Sequence, residues 1–231
     1  MLNLEGNNSF YARTGIDLSS VQQNSAEWLR AKLGVISASK TDCLLAGKET
    51  AKRSTYMAEL VAQVATKQQE EINSYHLQWG KDNEQAARAS FEYSSGLKVK
   101  EMAFIFKDDT HRTGVSVDGL LYDQDDIYLD MGLELKAPSN STNYIKFVCY
   151  DFVKKEWDLQ CNMSMWVTGA HTWINGQYDK RCSSKPLHYI EIPRNEITMR
   201  RLDDAVPQFI HDMDKMLDQM GLVYGSQWSD A

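Results

Sequence analysis

The chain has no long apolar run and no export pattern. Nowhere in its 231 residues do apolar residues continue for the length of about 20 that a membrane-spanning helix needs. Its first residues, MLNLEGNNSFYAR, contain no basic region followed by an apolar stretch, which is the pattern of a signal peptide. We therefore expect neither a membrane span nor secretion, and a location in the cytoplasm.

Cysteine and histidine are too scattered to indicate a metal site of their own. The four cysteines include no CxxC pair, and none of the five histidines pair at metal-ligand spacing. A chain of this length also has no need of a disulfide framework. We expect reduced, mostly buried thiols at Cys43, Cys149, Cys161 and Cys182.

Positive charge is scarce overall, since the formal net charge is -7. This excess of acid argues against a protein that coats nucleic acid with a broadly basic surface, but it leaves room for a basic groove. One segment is locally cationic, because six lysines and arginines stand against two acidic residues between Trp28 and Arg53. No repeat, low-complexity tract or linker interrupts the chain, so we predict one domain over residues 1–231.

Hydrophobic periodicity predicts helices at both ends of the chain and strands in its middle. Helices are predicted over about 19–34, 55–66, 77–94, 152–167 and 196–220, the last one amphipathic and bent or restarted near Pro207. A short helix beginning near Lys40 would be capped by Ser37 or Ser39. Strands are predicted over 99–106, 112–123, 127–138, 170–179 and 187–194, the first three forming a meander. These elements indicate an α/β or mixed α+β fold, with the sheet order left open.

The stretch GLELKAP places two opposite charges inside an apolar, strand-like run. Side chains two positions apart on a strand point to the same face, so Glu134 and Lys136 project together while Leu133 and Leu135 face the core. Asp118, near the end of the preceding strand, can bring its carboxylate beside Glu134. Two converging carboxylates repel unless a cation lies between them, and hard oxygen ligands suit Mg²⁺.

Two interpretations of this spacing remain open. Beside a metal, Lys136 would orient or deprotonate the attacking water, or stabilise charge developing on a phosphate. Alternatively, the three residues belong to a surface hairpin with a cross-strand salt bridge, which is worth about 0–1 kcal/mol. The spacing by itself does not decide between them.

Further motifs connect the chain to a known family. Asp118, Glu134 and Lys136 match the Asp…Glu-x-Lys core of the PD-(D/E)XK nuclease superfamily. More closely, the chain resembles the phage recombination exonucleases of the YqaJ-like, lambda-exonuclease-like family. The matching stretches come in the same order over nearly the whole chain: RTGIDL (13–18), GVISAS (34–39), WGKDNE (79–84), SVDGL (116–120), GLELKAP (132–138), SMWVT (164–168) and VPQFIHDMD (206–214).

The resemblance implies a restriction-endonuclease-like core, with a central mixed β-sheet flanked by helices. It also implies Mg²⁺-dependent digestion of double-stranded DNA from the 5′ end, which releases mononucleotides and leaves a 3′ single strand. Mn²⁺ is a candidate substitute for Mg²⁺. The implied partners are double-stranded DNA ends and a single-strand annealing protein, and the implied assembly is a homotrimeric ring. A phage protein of this kind would work in the cytoplasm of a bacterial host.

Site residues carry over by position. Asp118 and Glu134 would bind the metal together with the backbone carbonyl of Leu135, and Lys136 would act on the attacking water. Glu84 matches a further acidic residue that helps to hold the metal site. At position 117 this chain has valine where the superfamily name has proline, a structural difference only.

The resemblance assigns further residues to the DNA. Gln160 matches the glutamine that orients the nucleophile or the phosphate, and the helical segment over about 19–66 would receive the DNA end. The residues expected at that end and its 5′-phosphate are Trp28, Arg30, Lys32, Ser37, Ser39 and Ser116. Lys32 stands where the family has an arginine, so the charge is kept while the two-pronged guanidinium is lost. Candidates for the lining of the ring channel are Lys48, Lys52 and Arg53, with a solvated loop as the alternative.

Two other functions compete with the exonuclease. An endonuclease of the same superfamily would cut closed circular DNA, which offers no end to an exonuclease. A non-catalytic protein that binds DNA ends on a nuclease scaffold is the third possibility, and the filled acidic and lysine positions argue against it.

Overall fold

The computed structural model describes residues 2–69 and 75–229; the rest of the predicted domain lies outside the described residues. The helices are α1 (Glu5–Thr14), α2 (Ala26–Ala31), α3 (Thr41–Leu44), α4 (Ala51–Thr66), α5 (Tyr75–Ser95), α6 (Ser141–Tyr150), α7 (Lys155–Thr168) and α8 (Glu196–Gln219). The strands are β1 (Ile36–Ser37), β2 (Lys98–Phe106), β3 (Thr113–Tyr122), β4 (Tyr128–Lys136), β5 (Thr172–Tyr178) and β6 (Leu187–Pro193). None of the helices in these residues is long and apolar enough to cross a membrane.

The strands form one mixed sheet with helices on both faces. β2, β3 and β4 pair antiparallel, which confirms the predicted meander. β5 then lies parallel to β4, and β6 returns antiparallel to β5. Helix α5 packs Ala87 and Phe91 against one face, while α7 packs Cys161 and Met163 into the core on the other. The predicted mixed α/β fold with a central mixed sheet flanked by helices is confirmed.

Strand β3 has different neighbours at its two ends, and this splits the sheet. Gly114 pairs with both β1 and β2, and Leu120 pairs with both β2 and β4. One side of β3 is therefore covered by β2, while β1 and β4 share the other side. The first pairing between β3 and β4 is Gly119 with Leu133, so β4 leaves β3 just before Asp118. The sheet therefore forks between Asp118 of β3 and the end of β4. At this fork, polar groups inside the protein can remain without a strand partner.

Helix α7 is enclosed by protein along most of its length. Every residue from Cys161 to Thr168 is buried, which is typical of a helix that lies between a sheet and other helices. Its buried polar side chains are satisfied locally, since Ser164 and Thr168 donate to carbonyl oxygens one turn earlier. Burial on all sides fixes the orientation of the helix, and with it the side chains of its first two turns.

Several sequence-based predictions of helices were wrong in detail. α1 was not predicted, and the helix predicted over 19–34 is reduced to the short α2. Ser37 precedes a 3-10 turn over Ala38–Lys40 but makes no capping bond through its side chain, so the predicted serine cap is wrong. The helix predicted over 152–167 begins at Lys155 and is preceded by the unpredicted α6. Helix α8 runs without a restart through Pro207.

Candidate active site

The two charges of GLELKAP lie at the fork, as the alternation predicted. Leu133 and Leu135 face the core beneath α5, with 0% and 8% of their surfaces exposed. Glu134 and Lys136 point to the opposite face, where α7 covers them. Glu134 is only 2% exposed, so the strand is enclosed by protein at this position. The surface salt bridge that competed as an interpretation is thereby excluded.

Asp118 closes the gap that the fork opens. Its Oδ2 accepts a hydrogen bond of 2.6 Å from the backbone N–H of Leu135, where a strand pairing would otherwise continue. Burial raises the pKa of Asp118 above its usual range, although the ammonium of Lys136 acts in the opposite direction. Besides burial, the negative charge of Asp118 raises the pKa of Glu134, so the two carboxylates interact electrostatically.

Glu134 has one satisfied oxygen and one unsatisfied oxygen. Oε1 accepts from the ammonium of Lys136 and, at 2.7 Å, from Nε2 of Gln160 on α7. Oε2 is buried and has no hydrogen-bond partner among the described residues. Burial raises the pKa of Glu134 to about 7 despite the nearby ammonium. A buried carboxylate oxygen without a partner is costly, and a cation or an ordered water would offset that cost.

Two amide side chains on β5 extend this unsatisfied region. Asn175 pairs in register with Glu134, and Gln177 with Lys136, so all four side chains share one face of the sheet. The side-chain oxygens of Asn175 and Gln177 are also buried without a hydrogen-bond partner in the described residues. This row could not be predicted from the sequence, because it depends on the pairing of β4 with β5.

Glu84 reaches the same region from α5. Nη2 of Arg88 lies 3.0 Å from its Oε1, and Arg88 also pairs with Glu101 on β2. Burial raises the pKa of Glu84, and the negative charge of Asp118 raises it further. Glu101 faces Asp118 across an irregularity in the β2–β3 pairing, where Lys100 pairs with Leu120 but Met102 pairs with Val117.

Arg88 and Glu101 were not identified from the sequence. The spacing of Glu84 and Arg88, four residues apart on a helix, could have indicated the first pair. Nothing in the sequence marks the irregular register that brings Glu101 to the site.

The residues at the fork fit a divalent metal with few protein ligands. No three His, Cys, Asp or Glu side chains within residues 2–69 and 75–229 are grouped to hold a metal. A site made of Asp118, Glu134 and the carbonyl oxygen of Leu135 needs no third side chain. Glu134 Oε2 has no partner among the described residues, and burial raises the pKa of both carboxylates, so a cation beside them would be favourable. Hard oxygen donors of this kind suit Mg²⁺.

A cleft of about 720 Å³ opens onto the fork. Its floor is the end of β4, one wall is α5, and the other wall is the start of α7. The lining includes Asp118, Leu135 and Lys136 from the floor and Glu84 from α5. Part of the candidate metal site is therefore accessible from outside the protein.

The residues predicted to contact the DNA end are divided between the fork and a second cavity. Lys32, Ser37 and Ser39 line a separate cavity of about 390 Å³. Burial lowers the pKa of Lys32 to about 8, and its Nζ lies 3.6 Å from the centre of the Trp28 ring. Nε1 of Trp28 donates to Ser116 Oγ at 3.1 Å, two residues before Asp118. Trp28 and Ser116 thus connect Lys32, in the second cavity, to the strand that carries Asp118.

The remaining basic candidates lie elsewhere. Arg30 donates to the carbonyl of Trp228 at 2.7 Å and braces the C-terminal 3-10 turn. Arg53, a candidate for the channel lining, has a buried side chain that pairs with Asp212 of α8 at 3.0 Å. Lys52 pairs with Asp42, and Lys48 is exposed on the loop before α4.

Comparison with known proteins places the chain in a family. The model of the YqaJ-like viral recombinase domain matches residues 27–171, which is more than half of the chain. The chain belongs to this family. ExoD of Escherichia coli (strain K12) is 40% identical over 79 residues, which are 34% of this chain and 91% of that protein. The predicted resemblance is thereby confirmed.

Solved structures agree with this family assignment. The alkaline exonuclease LHK-Exo of Laribacter hongkongensis, also solved in complex with dAMP, is 27% identical with a TM-score of 0.75, covering 85% of this chain and 96% of that one. A phage-related exonuclease of Haemophilus somnus 129PT has a TM-score of 0.62 at 11% identity, covering 80% of this chain and 96% of that one. The second match supports the fold alone.

Proposed function

We propose that this YqaJ-family protein is a Mg²⁺-dependent exonuclease that digests linear double-stranded DNA from the 5′ end. It releases 5′-mononucleotides and leaves a 3′ single strand for recombination by strand annealing. The chain is a nuclease by family and by its structural likeness to an alkaline exonuclease. The polarity, the preference for duplex DNA and the identity of the metal are the proposed part.

One observation carries the proposal, namely the convergence at the fork. Asp118, Leu135 and Lys136 line an open cleft, Glu134 lies buried beside them, and Glu134 Oε2 has no partner among the described residues. In a purely structural ion pair both oxygens of a buried carboxylate normally accept hydrogen bonds, whereas an oxygen left without a partner suits a ligand for a cation.

Each residue has a proposed role. Asp118, Glu134 and the carbonyl of Leu135 would hold Mg²⁺, which when bound supplies Lewis-acid activation of the scissile phosphate. Lys136 places its ammonium beside the reacting phosphate, where it orients the water and offsets developing negative charge. Gln160 is a positioning residue here, because its amide fixes Oε1 of Glu134. Glu84 contributes negative charge to the wall of the cleft.

The DNA end, the partner and the assembly are proposed with the same function. Lys32, Ser37 and Ser39 would receive the 5′-phosphate, since they line one cavity and Lys32 is connected through Trp28 and Ser116 to the strand that carries Asp118. A homotrimeric ring would enclose the duplex in the bacterial cytoplasm, and a single-strand annealing protein would take up the product strand.

The test is digestion of end-labelled linear duplex with Mg²⁺ or with EDTA. We expect labelled mononucleotide from the 5′ end with Mg²⁺ only. The variants Glu134→Gln and Lys136→Ala should lose at least about 100-fold in rate while still binding DNA ends. Lys155→Ala, an exposed lysine outside the cleft, is the control and should cut normally.

Three outcomes would count against the proposal. A folded protein that leaves linear DNA intact with Mg²⁺ would contradict the nuclease activity, and full digestion in EDTA would contradict the metal. Cutting of closed circular DNA at the same rate would indicate an endonuclease instead.

A further inference from the structure

Trp157 is an aromatic side chain in the cleft that no role described so far uses. It lines the cleft together with Lys154, on the wall formed by the start of α7. Among the lining residues in the described part of the chain, it is the only phenylalanine, tyrosine or tryptophan. The cleft therefore has one large flat apolar side chain, carried by α7, whereas Glu84 is carried by α5.

Core packing does not explain this tryptophan. The side chain is half-buried, but within the described residues it neither belongs to nor packs against any of the three clusters of buried hydrophobic residues. Its neighbour Val153, by comparison, packs against the largest of these clusters. An indole ring normally stabilises a protein through the apolar area that it buries in the core. Here much of that area faces the cleft.

The helix places Trp157 about one turn before Gln160, which contacts Glu134. Gln160, three residues later on α7, donates to Oε1 of Glu134 at 2.7 Å. Residues three apart on a helix lie on the same side, about one turn from each other. Trp157 therefore lies about one helical turn from the residue that contacts Glu134, and it lines the same cleft as Asp118 and Lys136. The turns of α7 that follow Trp157 are held in the core by Leu159 and by the buried residues Cys161 to Thr168.

The cation nearest to the ring has no acidic partner. Nζ of Lys154 lies 4.8 Å from the centre of the Trp157 ring. Three lysines line the cleft, and only Lys136 among them pairs with a carboxylate of the described residues; Lys81 and Lys154 do not. An aromatic face beside an unpaired cation is the combination that binds single nucleic-acid strands, because the ring stacks on a base while the cation attracts a phosphate.

We propose that Trp157 is a stacking site for one base of the DNA strand held in the cleft, with Lys154 close to an adjacent phosphate. This inference rests on the proposed action on DNA and adds a base-binding subsite to it. Every base has a flat face, so such a subsite holds the strand in register without selecting a sequence.

Removing single bases from the substrate tests the stacking directly. Linear duplexes that each carry one abasic nucleotide, at successive positions from the 5′ end, are cut in single turnovers by the full chain. We expect the wild-type rate to fall roughly 5- to 150-fold at one of these positions, the range that stacking of one base supplies. Trp157→Ala should cut intact DNA more slowly by a similar factor and be indifferent to that abasic nucleotide, whereas Trp157→Phe should keep most of the dependence.

Two control variants separate stacking from general damage. Tyr150→Ala removes a tyrosine that is 78% exposed on α6 and outside the cleft, and it should behave as wild type. Lys154→Ala should raise KM for DNA more than Lys155→Ala. The effect of the abasic nucleotide is the ratio of two cutting rates measured with the same protein. A smaller folded fraction of Trp157→Ala lowers both rates equally and leaves this ratio unchanged. Equal dependence in wild type and Trp157→Ala at every position would overturn the proposal.

A binding measurement keeps this inference separate from the proposed nuclease function. Tryptophan fluorescence is titrated in EDTA with dAMP and with deoxyribose 5-phosphate, which lacks the base. We expect stronger quenching by dAMP, and loss of most of that difference in Trp157→Phe. An inactive protein that shows this difference would contradict the nuclease but support the stacking site. A difference that Trp157→Phe leaves unchanged would overturn the stacking site even in an active nuclease.

Discussion

Lys32 keeps a positive charge in a place where charge is costly. Its Nζ lies against the Trp28 ring, and no carboxylate among the described residues pairs with it. Burial lowers the pKa of Lys32 to about 8. The other lysine of this cavity, Lys40, pairs with Glu59 at 3.3 Å, so Lys32 is the side chain left to meet an incoming phosphate.

The lowered pKa predicts how the preference for a 5′-phosphate depends on pH. Lys32 is mostly protonated at pH 7 and loses its charge as the pH rises past about 8. We expect the ratio of rates on 5′-phosphorylated and 5′-hydroxyl duplex to fall by about 10-fold between pH 7 and pH 9, because a hydrogen bond from a charged donor is worth about 1.5–3 kcal/mol. Single-turnover rates on both substrates measure the ratio and cancel other effects of pH.

Arginine at this position supplies the matched comparison. Lys32→Arg keeps its charge throughout this pH range, so its ratio should stay constant and should be at least as large as that of wild type at pH 7. Lys32→Met should show little preference at any pH. Parallel changes with pH in the wild type and in Lys32→Arg would show that Lys32 does not govern the preference.

Arg88 holds two carboxylates beside Asp118, and its removal should cost stability. Its side chain is 16% exposed, which lies between a buried and a surface ion pair. We expect Arg88→Gln to lower the free energy of unfolding by about 1–2 kcal/mol in EDTA, because Glu84 and Glu101 then repel Asp118 without compensation. The double variant Arg88→Gln with Glu101→Gln should lower the free energy of unfolding by less than the sum of the two single changes. Urea unfolding measures all three.

An exposed ion pair of the same sheet gives the reference for that measurement. Lys98 pairs with Asp126 at 3.2 Å with both side chains largely in solvent. Lys98→Gln should change the free energy of unfolding by less than about 0.5 kcal/mol. If Arg88→Gln lowers the free energy of unfolding by no more than Lys98→Gln does, Arg88 does not hold the acidic residues in place.

At the scale of elements, the strands were predictable from the sequence, whereas helix α1 was not. Alternation of apolar residues placed β2 to β6 within a few residues of their observed bounds. Helix α1 escaped prediction because its segment EGNNSFYART is rich in polar residues, and its stability comes from tertiary contacts. Asn7 donates to the carbonyl of Phe104 and accepts from the N–H of Phe106, both at 2.9 Å. Contacts of this kind do not produce a periodic pattern of apolar residues in the sequence.

The candidate site was predictable in its residues but not in its geometry. The spacing of Glu134 and Lys136 showed that they share a face. Their burial beneath α7 and the role of Asp118 as a hydrogen-bond acceptor for Leu135 depend on the fork, which is a property of sheet register. Trp157 was overlooked because a tryptophan on a helix is by default a core residue.

Asn195 ties helix α8 to the helix that carries Gln160. Its Oδ1 accepts from the N–H groups of Ile197 and Thr198, both at 3.0 Å, and its own N–H donates to the buried Asn162 of α7. We expect Asn195→Ala to destabilise the protein by about 1 kcal/mol, because the helix loses its N-terminal cap. Asn195→Asp keeps an acceptor and should stay within about 0.5 kcal/mol of wild type. Thermal and urea unfolding that rank the two variants equally would contradict this role.

For the whole molecule, the acidic net charge limits how it can hold DNA. With a formal charge of -7, the outer surface repels a polyanion at long range, and attraction must come from a few lysines in concave places. The cleft offers Lys81, Lys136 and Lys154, and the second cavity offers Lys32. So few contacts release few counterions, and an open monomer would leave DNA easily at physiological salt.

Enclosure of the DNA in a ring removes that difficulty, and it predicts both a mass and a kinetic behaviour. Light scattering at the concentrations used for digestion should give three times the mass of the chain. Once loaded on labelled linear duplex, the ring should continue digestion after a large excess of unlabelled duplex is added, because escape requires the ring to open or to run off an end. Moderate salt should slow loading far more than it slows digestion already in progress, since only loading depends on long-range attraction. A monomeric mass together with immediate arrest by the competitor DNA would refute the ring and leave the fork chemistry unaffected.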